Sequence, residues 1–176
     1  MKKLLLVIDM QNDFITGTLG SDKAQEIVEA VKLKTDEYRK NGDAIIFTRD
    51  THTADYMKTQ EGRLLPVPHC IEGTDGHLIT PELETEGCEI INKCSFGSLE
   101  LAEYIAAKNY EEIELCGLCT DICVVSNALI LKARLPEVKI TVDQSCCAGV
   151  SEESHKAALL TMKMCHVEMI GESRDV

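Results

Sequence analysis

The sequence lacks a long hydrophobic run near its N terminus, and it lacks an excess of basic residues. The apolar run Leu4 to Ile8 has five residues before Asp9, too few for a signal-peptide core or a membrane span. With 18 Lys and Arg against 30 Asp and Glu, the net charge is −12, which disfavours nucleic acid and anionic membranes as partners. We therefore expect a cytoplasmic protein that binds neither nucleic acid nor a membrane.

No internal repeat, low-complexity tract or linker divides the 176 residues, so we expect residues 1–176 to form a single domain. A chain of this length buries about 70% of its unfolded surface and needs neither disulfides nor a metal to fold. Its nine cysteines are an odd number in a long chain. This pattern favours free thiols over a disulfide framework.

Continuous apolar runs of strand length alternate with segments whose apolar residues recur at helical spacing. The predicted strands are Lys3–Ile8, Ala44–Thr48, Glu89–Asn92, Glu112–Cys116, Val138–Val142 and His166–Ile170, and the predicted helices are Asp22–Lys40, Leu99–Lys108, Thr120–Leu135 and Glu152–Met164. Strands without in/out alternation, separated by helices, are typical of a parallel sheet covered on both faces. The sequence predicts an α/β fold, a three-layer doubly wound (Rossmann-like) domain with six mostly parallel strands.

Reactive side chains follow the predicted strands at their carboxyl ends, where doubly wound folds bind their ligands. Asp9 follows the first strand, Lys93 follows the third, and Cys123 lies beyond the turn after the fourth. An acid, a base and a nucleophile that converge from separate strands are what a nucleophilic amidase or ester hydrolase requires.

Cys123 falls in the first turn of a predicted helix, with Thr120 as its N-cap and Asp121 at the first helical position. Unpaired N–H groups and the helix macrodipole favour an anion at such a place. We therefore expect Cys123 to ionise more easily than a free cysteine, whose pKa is about 8.5. The alternative is that Cys123 is a small core residue.

Five stretches resemble the isochorismatase-like cysteine hydrolases, the superfamily of nicotinamidases and N-carbamoylsarcosine amidases. They are VIDMQNDF at 7–14, DTH at 50–52, PHCIEGTDG at 68–76, NK at 92–93 and GLCTDICV at 117–124. The resemblance implies a catalytic triad in which Cys123 attacks the carbonyl, Asp9 carries the proton to the departing amine, and Lys93 holds Asp9. It also implies an oxyanion hole made by the backbone N–H groups of Cys119 and Cys123, with a cis peptide bond before Cys119.

The resemblance implies a metal site as well, because in nicotinamidases the residues that match Asp50, His52 and His69 bind a divalent ion, zinc or else manganese or iron. Several relatives supply one more ligand from the intervening loop, where this chain offers Glu61 as a candidate. The alternative is a set of paired polar residues in a lid. Since the triad follows other strands, we expect loss of the metal to leave the reactivity of Cys123 nearly unchanged. No organic cofactor is implied.

The substrate is the least constrained feature. Phe14 matches an aromatic residue that commonly lines the pocket, but the chain has no tryptophan to stack on a ring near the metal histidines. Hydrolysis of nicotinamide to nicotinate and ammonia is the favoured activity. The alternatives are a metal-free amidase or carbamoyl hydrolase of the same superfamily and, more remotely, a thiol-rich redox or metal-buffering protein.

Two further expectations concern assembly and the remaining thiols. Relatives are often dimers or tetramers, so we expect a homo-oligomer. Cys146 and Cys147 are predicted to be packing or loop residues near the site, and the sequence assigns no role to Cys70.

Overall fold

The computed structural model describes residues 2–172, and six parallel strands form its centre. The strands are β1 (Lys3–Ile8), β2 (Ala44–Asp50), β3 (Glu89–Lys93), β4 (Glu112–Leu118), β5 (Lys139–Ala148) and β6 (Glu168–Ile170). They lie in the order β3-β2-β1-β4-β5-β6, and every neighbouring pair is parallel. The predicted doubly wound α/β fold with six strands is confirmed.

Helices connect the strands and cover the sheet. They are α1 (Asn12–Ile15), α2 (Asp22–Glu26), α3 (Val28–Asn41), α4 (Gln60–Leu64), α5 (Leu99–Ala106), α6 (Val125–Arg134) and α7 (Glu152–Met164), with 3₁₀ turns at Tyr56–Lys58 and Asp75–His77. The single predicted helix over residues 22–40 is two helices that meet at the buried Ile27. No helix within residues 2–172 is long and apolar enough to cross a membrane.

Strand β1 lies in the middle of the core. Its residues from Leu4 to Ile8 are all fully buried, because β2 and β4 flank the strand and the layers on both faces exclude water. The order of the strands reverses at β1, since β2 lies on one side and β4 on the other. The carboxyl ends of β1 and β4 therefore form the switch point at which folds of this class bind ligands.

Four strands continue further than predicted. β2 ends at Asp50, β3 at Lys93, β4 at Leu118 and β5 at Ala148. Polar residues extend these strands because a parallel neighbour pairs with their backbone; Asp50, for example, lies opposite Lys93 in the ladder. The longer strands bring several side chains of the site onto the rigid sheet.

The longer β5 decides between the two predictions made for Cys146 and Cys147. Both are buried packing residues of this strand and not loop residues. β6 also begins later than predicted, at Glu168, because His166 takes a left-handed conformation with φ 63°. All nine cysteines are free thiols, as expected.

Gly117 allows the backbones of β4 and β1 to approach each other closely. Its φ is +115°, and a Cβ atom built on it would lie 2.1 Å from the carbonyl oxygen of Ile8. Only glycine permits both the conformation and this approach of two backbones beside the switch point.

We expect Gly117→Ala to destabilise the fold by at least about 3 kcal/mol, because left-handed strain adds to a steric overlap with backbone. Gly42→Ala is the matched control, since Gly42 has φ +73° but a Cβ there would meet nothing within 4 Å. The control should cost about 1 kcal/mol. Equal losses in denaturant titrations of the two variants would contradict the packing described for Gly117.

Candidate active site

Asp9, Lys93 and Cys123 meet beyond the carboxyl ends of β1, β3 and β4. The Nζ of Lys93 lies 2.6 Å from Oδ2 of Asp9 and 3.4 Å from the sulfur of Cys123. All three are buried, with residue exposures of 0%, 4% and 4%. The three side chains predicted from the sequence as a triad are therefore in one buried cluster, in which the ammonium group contacts both partners.

Thr48 fixes the carboxylate of Asp9. Its hydroxyl donates to Oδ1 of Asp9 at 2.6 Å and accepts from the backbone N–H of Asp9 at 3.1 Å. Asp9 itself has φ 48°, a conformation that turns the chain away from β1. Thr48 was not among the predicted site residues, although its hydroxyl group at the end of the apolar run 44–47 was a signal that could have identified it.

Burial and the positive charge of Lys93 together determine the protonation states of Asp9 and Lys93. Burial raises the pKa of Asp9, while the Lys93 ammonium opposes that rise, and the pKa stays above the ordinary value. Burial lowers the pKa of Lys93, but the charges of Asp9 and Asp50 and the hydrogen bond to Asp9 outweigh it and hold the pKa well above its usual range. Lys93 thus stays charged, and Asp9 is a stronger base than an exposed aspartate.

The expectation that Cys123 ionises readily is wrong. Burial raises the pKa of its thiol well above the ordinary value, and the nearby Asp9 carboxylate raises it further, against the opposing effect of Lys93. The helix N terminus acts through the local backbone alone, whereas the whole fold removes water from around the thiol. Cys123 is a neutral thiol at rest, so an adjacent base has to take its proton.

The turn that carries Cys123 also differs in detail from the prediction. The expected cis peptide bond is present between Leu118 and Cys119. The chain then forms a π-helical turn, Thr120–Val124, before α6 begins, and the N-cap of that turn is Cys119 and not Thr120. The carbonyl oxygen of Cys119 accepts from the N–H groups of Ile122 and Val124, both at 3.1 Å.

Side chains near the start of α7 hold this turn in place. The Thr120 hydroxyl, predicted to cap the helix, instead lies 2.9 Å from Nδ1 of His155. Both carboxylate oxygens of Asp121 accept from the N–H of Val150, at 3.1 and 3.0 Å, and the hydroxyl of Ser154 also donates to Asp121. Hydrogen bonds therefore hold the turn that carries Cys123 against the loop after β5 and against α7.

A second cluster lies beside the triad. Oδ2 of Asp50 is 3.0 Å from Nε2 of His52 and 3.7 Å from Nε2 of His69. Glu61, carried by α4, places Oε1 3.6 Å from His52 and 3.7 Å from His69. One ligand atom from each of the four residues lies within 4.8 Å of all the others. The segment between His52 and His69, which contains α4, thus brings the candidate ligand Glu61 to the three predicted metal ligands.

These four residues fit a divalent ion. Two imidazoles and two carboxylates are a nitrogen and oxygen donor set that suits zinc, manganese or iron. Nδ1 of His69 donates to the carbonyl oxygen of Val67 at 2.8 Å, an assignment that leaves Nε2 with its lone pair towards the cluster. Burial raises the pKa of Asp50, but the hydrogen bond from His52 and the charge of Lys93 outweigh it and hold the pKa well below its usual range.

The two clusters are in direct contact, which was not predicted from the sequence. Oδ1 of Asp50 lies 3.5 Å from Nζ of Lys93, because the two residues are paired across β2 and β3. Gln11 fixes Asp50 further: its side chain accepts from the N–H of Asp50 at 2.7 Å and donates to the Asp50 carbonyl at 2.8 Å. Asp50 therefore belongs to both clusters.

Both clusters open into a cavity of about 980 Å³. Phe14 lines it as predicted, with its ring centroid 5.6 Å from that of His69. Tyr56, which the sequence analysis did not select, packs edge-on against His52 and His69, with centroids at 4.7 and 5.0 Å. Its buried ring therefore orients both imidazoles from behind the cluster.

Comparisons with known proteins identify relatives of this chain. A family model described as "Isochorismatase domain" matches residues 3–172. The "Uncharacterized isochorismatase family protein PncA" of Bacillus subtilis is 32% identical over 174 residues, which cover 90% of this chain and 93% of that protein. The nicotinamidase/pyrazinamidase of Mycobacterium tuberculosis is 25% identical, with 97% and 100% covered.

Solved structures of similar fold include two enzymes of this kind. The nicotinamidase/pyrazinamidase of Bacillus subtilis has a TM-score of 0.87 at 29% identity, covering 97% of this chain and 100% of that one. The pyrazinamidase of Pyrococcus horikoshii, in complex with zinc, has a TM-score of 0.86 at 25% identity, covering 98% and 100%.

We expect Thr48→Val to move the pH profile of Cys123 alkylation by iodoacetamide about one unit to higher pH, because Asp9 loses a hydrogen bond that favours its charged form. The pKa of Asp9 rises further, so alkylation should be about tenfold slower on the rising limb of the profile. Thr48→Ser keeps the hydroxyl and should behave like the wild type. A slow serine variant, or a fast valine variant, would contradict the role of Thr48.

Proposed function

This chain belongs to the isochorismatase family, and we propose that it hydrolyses nicotinamide to nicotinate and ammonia through a thioester on Cys123. It is a hydrolase of C–N bonds other than peptide bonds, as its nicotinamidase relatives are. The observation that carries the proposed mechanism is the buried contact of one ammonium group, that of Lys93, with Asp9 at 2.6 Å and with Cys123 at 3.4 Å.

The proposed reaction begins from a neutral thiol. Asp9 takes the proton of Cys123 as the sulfur attacks the carboxamide carbon, and it returns this proton to the nitrogen as the C–N bond breaks and ammonia leaves. Asp9 then takes a proton from water, which attacks the thioester. The C–S bond breaks, the acid is released, and the proton on Asp9 goes back to the sulfur. Lys93 balances the charge of Asp9 whenever the carboxylate is ionised.

Two backbone N–H groups are proposed to stabilise the oxyanion that forms at each attack. They belong to Cys119, directly after the cis peptide bond, and to Cys123, within the π-helical turn. Support for this role comes from the anchoring of the turn through Asp121 to Val150, which keeps the two donors in a fixed relation before the substrate binds.

Asp50, His52, Glu61 and His69 are proposed to hold a divalent ion. When bound, the ion would offer a coordination position to the ring nitrogen of nicotinamide. The relative from Pyrococcus horikoshii was solved in complex with zinc, and the donor set of this chain fits the same ion. Phe14 would contact the ring from the side of His69.

The charge of the cavity favours a neutral amide over a carbamoyl amino acid. Among the described residues, the cavity lining includes the carboxylates of Asp50 and Glu61 but neither Lys nor Arg. A divalent ion would neutralise these two charges and leave no surplus to attract an anionic substrate. A second candidate function is therefore hydrolysis of another neutral carboxamide by the same triad. The cytoplasmic location and the homo-oligomer stay predictions.

Cys123→Ser should abolish ammonia release from nicotinamide, because a serine hydroxyl is a much poorer nucleophile in this site. Cys119→Ser should keep substantial activity, because the proposed role of Cys119 uses only its backbone N–H. Circular dichroism of both variants controls for folding. An inactive Cys119→Ser beside an active Cys123→Ser would contradict the assignment.

His52→Ala should lower the content of bound metal and raise KM for nicotinamide more than it lowers kcat. Alkylation of Cys123 should hardly change in this variant, whereas Asp50→Ala should alter it, since Asp50 contacts Lys93. His77→Asn is the control: His77 is buried and bonds Thr51 outside the cluster. Failure of elemental analysis to find any divalent ion, after incubation with zinc, manganese and iron, would contradict the metal site.

A further inference from the structure

Four apolar side chains form an exposed rim around the cavity that contains Cys123. Leu64 is 79% exposed, Val150 71%, Phe96 46% and Leu65 39%, and all four line that cavity. They come from three separate segments of the chain: the end of α4, the loop after β3 and the loop after β5. We call these four residues the apolar rim.

The cavity has its metal-ligating side chains deep and the apolar rim at its opening. Asp50 and His69 are 2% and 3% exposed, whereas the opening combines the apolar rim with the exposed polar residues Ser21, Thr59, Gln60 and Ser95. A ligand that matches this lining carries its carboxamide at the buried end and an apolar group where it meets the apolar rim. Apolar surface that a ligand covers in this way adds to its binding free energy.

The volume of the cavity also indicates a ligand that extends to the apolar rim. Its volume of about 980 Å³ lies at the upper end of the range of roughly 300–1,000 Å³ found for sites of drug-sized ligands. A single-ring carboxamide held between Cys123 and His52 would leave the apolar rim uncovered. The volume and the rim together call for a substrate longer than one ring.

We propose that the preferred substrates are neutral ring carboxamides extended by an apolar alkyl or aryl substituent that contacts the apolar rim, with nicotinamide as the smallest member of this class. This proposal rests on the proposed function, because it assumes attack by Cys123 at the floor of the cavity. The rim sets which amide is preferred and takes no part in the bond-breaking steps.

The test is a series of nicotinamides that carry methyl, propyl or phenyl at ring carbon 5, with a carboxylate at the same carbon as the polar counterpart. Ammonia release gives kcat/KM for each compound relative to nicotinamide. We expect this ratio to rise by about fourfold for each CH₂ that the rim covers. The carboxylate compound should fall below nicotinamide.

Two variants of the apolar rim and one control variant test whether the gain in kcat/KM depends on the rim. Leu64→Ser and Phe96→Ser should bring the propyl and phenyl ratios back towards one. Leu160→Ser, which removes a leucine of α7 that is 61% exposed and outside the cavity lining, should keep the wild-type ratios.

Three results would overturn the proposal. Hydrolysis of nicotinamide with no gain from any apolar substituent would refute the extended substrate and leave the proposed function intact. Rim variants that change the oligomeric mass in gel filtration without changing the ratios would assign the rim to a second copy of the chain. Absence of ammonia release from every compound, with folded and metal-loaded protein, would refute the proposed function and this inference together.

Discussion

One buried ammonium group, Nζ of Lys93, holds the site together. It lies 2.6 Å from Asp9, 3.4 Å from the sulfur of Cys123 and 3.5 Å from Asp50. A carboxylate at full burial is strongly unfavourable unless a charge of opposite sign and hydrogen bonds compensate it, and here Lys93 and Thr48 do so for Asp9. Removal of Lys93 would therefore leave two buried carboxylates without their countercharge.

The order of the strands explains why a lysine serves here. Asp9 follows β1 and Lys93 ends β3, so β2 lies between them in the sheet. The long lysine side chain spans that strand, while Thr48 of β2 reaches Asp9 from the strand in between. The same pairing of β2 with β3 brings Asp50 to the ammonium group, which is how the triad and the candidate metal cluster come to share a residue.

Much of this architecture could be predicted from the sequence. Apolar runs identified all six strands, and the motif resemblance selected the residues that the fold brings together in two clusters. The features that could not be predicted from the sequence depend on tertiary structure. The pKa of Cys123 depends on burial by the whole fold, and the hydrogen bonds of Thr48 and Gln11 depend on which strands are neighbours. Polar residues such as Asp50 extended β2 because β3 lies beside it, a partner that periodicity along one segment cannot reveal.

Acid quenching during turnover, followed by peptide mass spectrometry, tests the central claim most directly. The protein would be mixed with nicotinamide, quenched within the first turnovers and digested. The account predicts a nicotinoyl thioester on the peptide that contains Cys123, formed at least as fast as ammonia is released. Turnover without an acyl adduct, or an adduct on another cysteine such as the exposed Cys94 at the cavity, would contradict it.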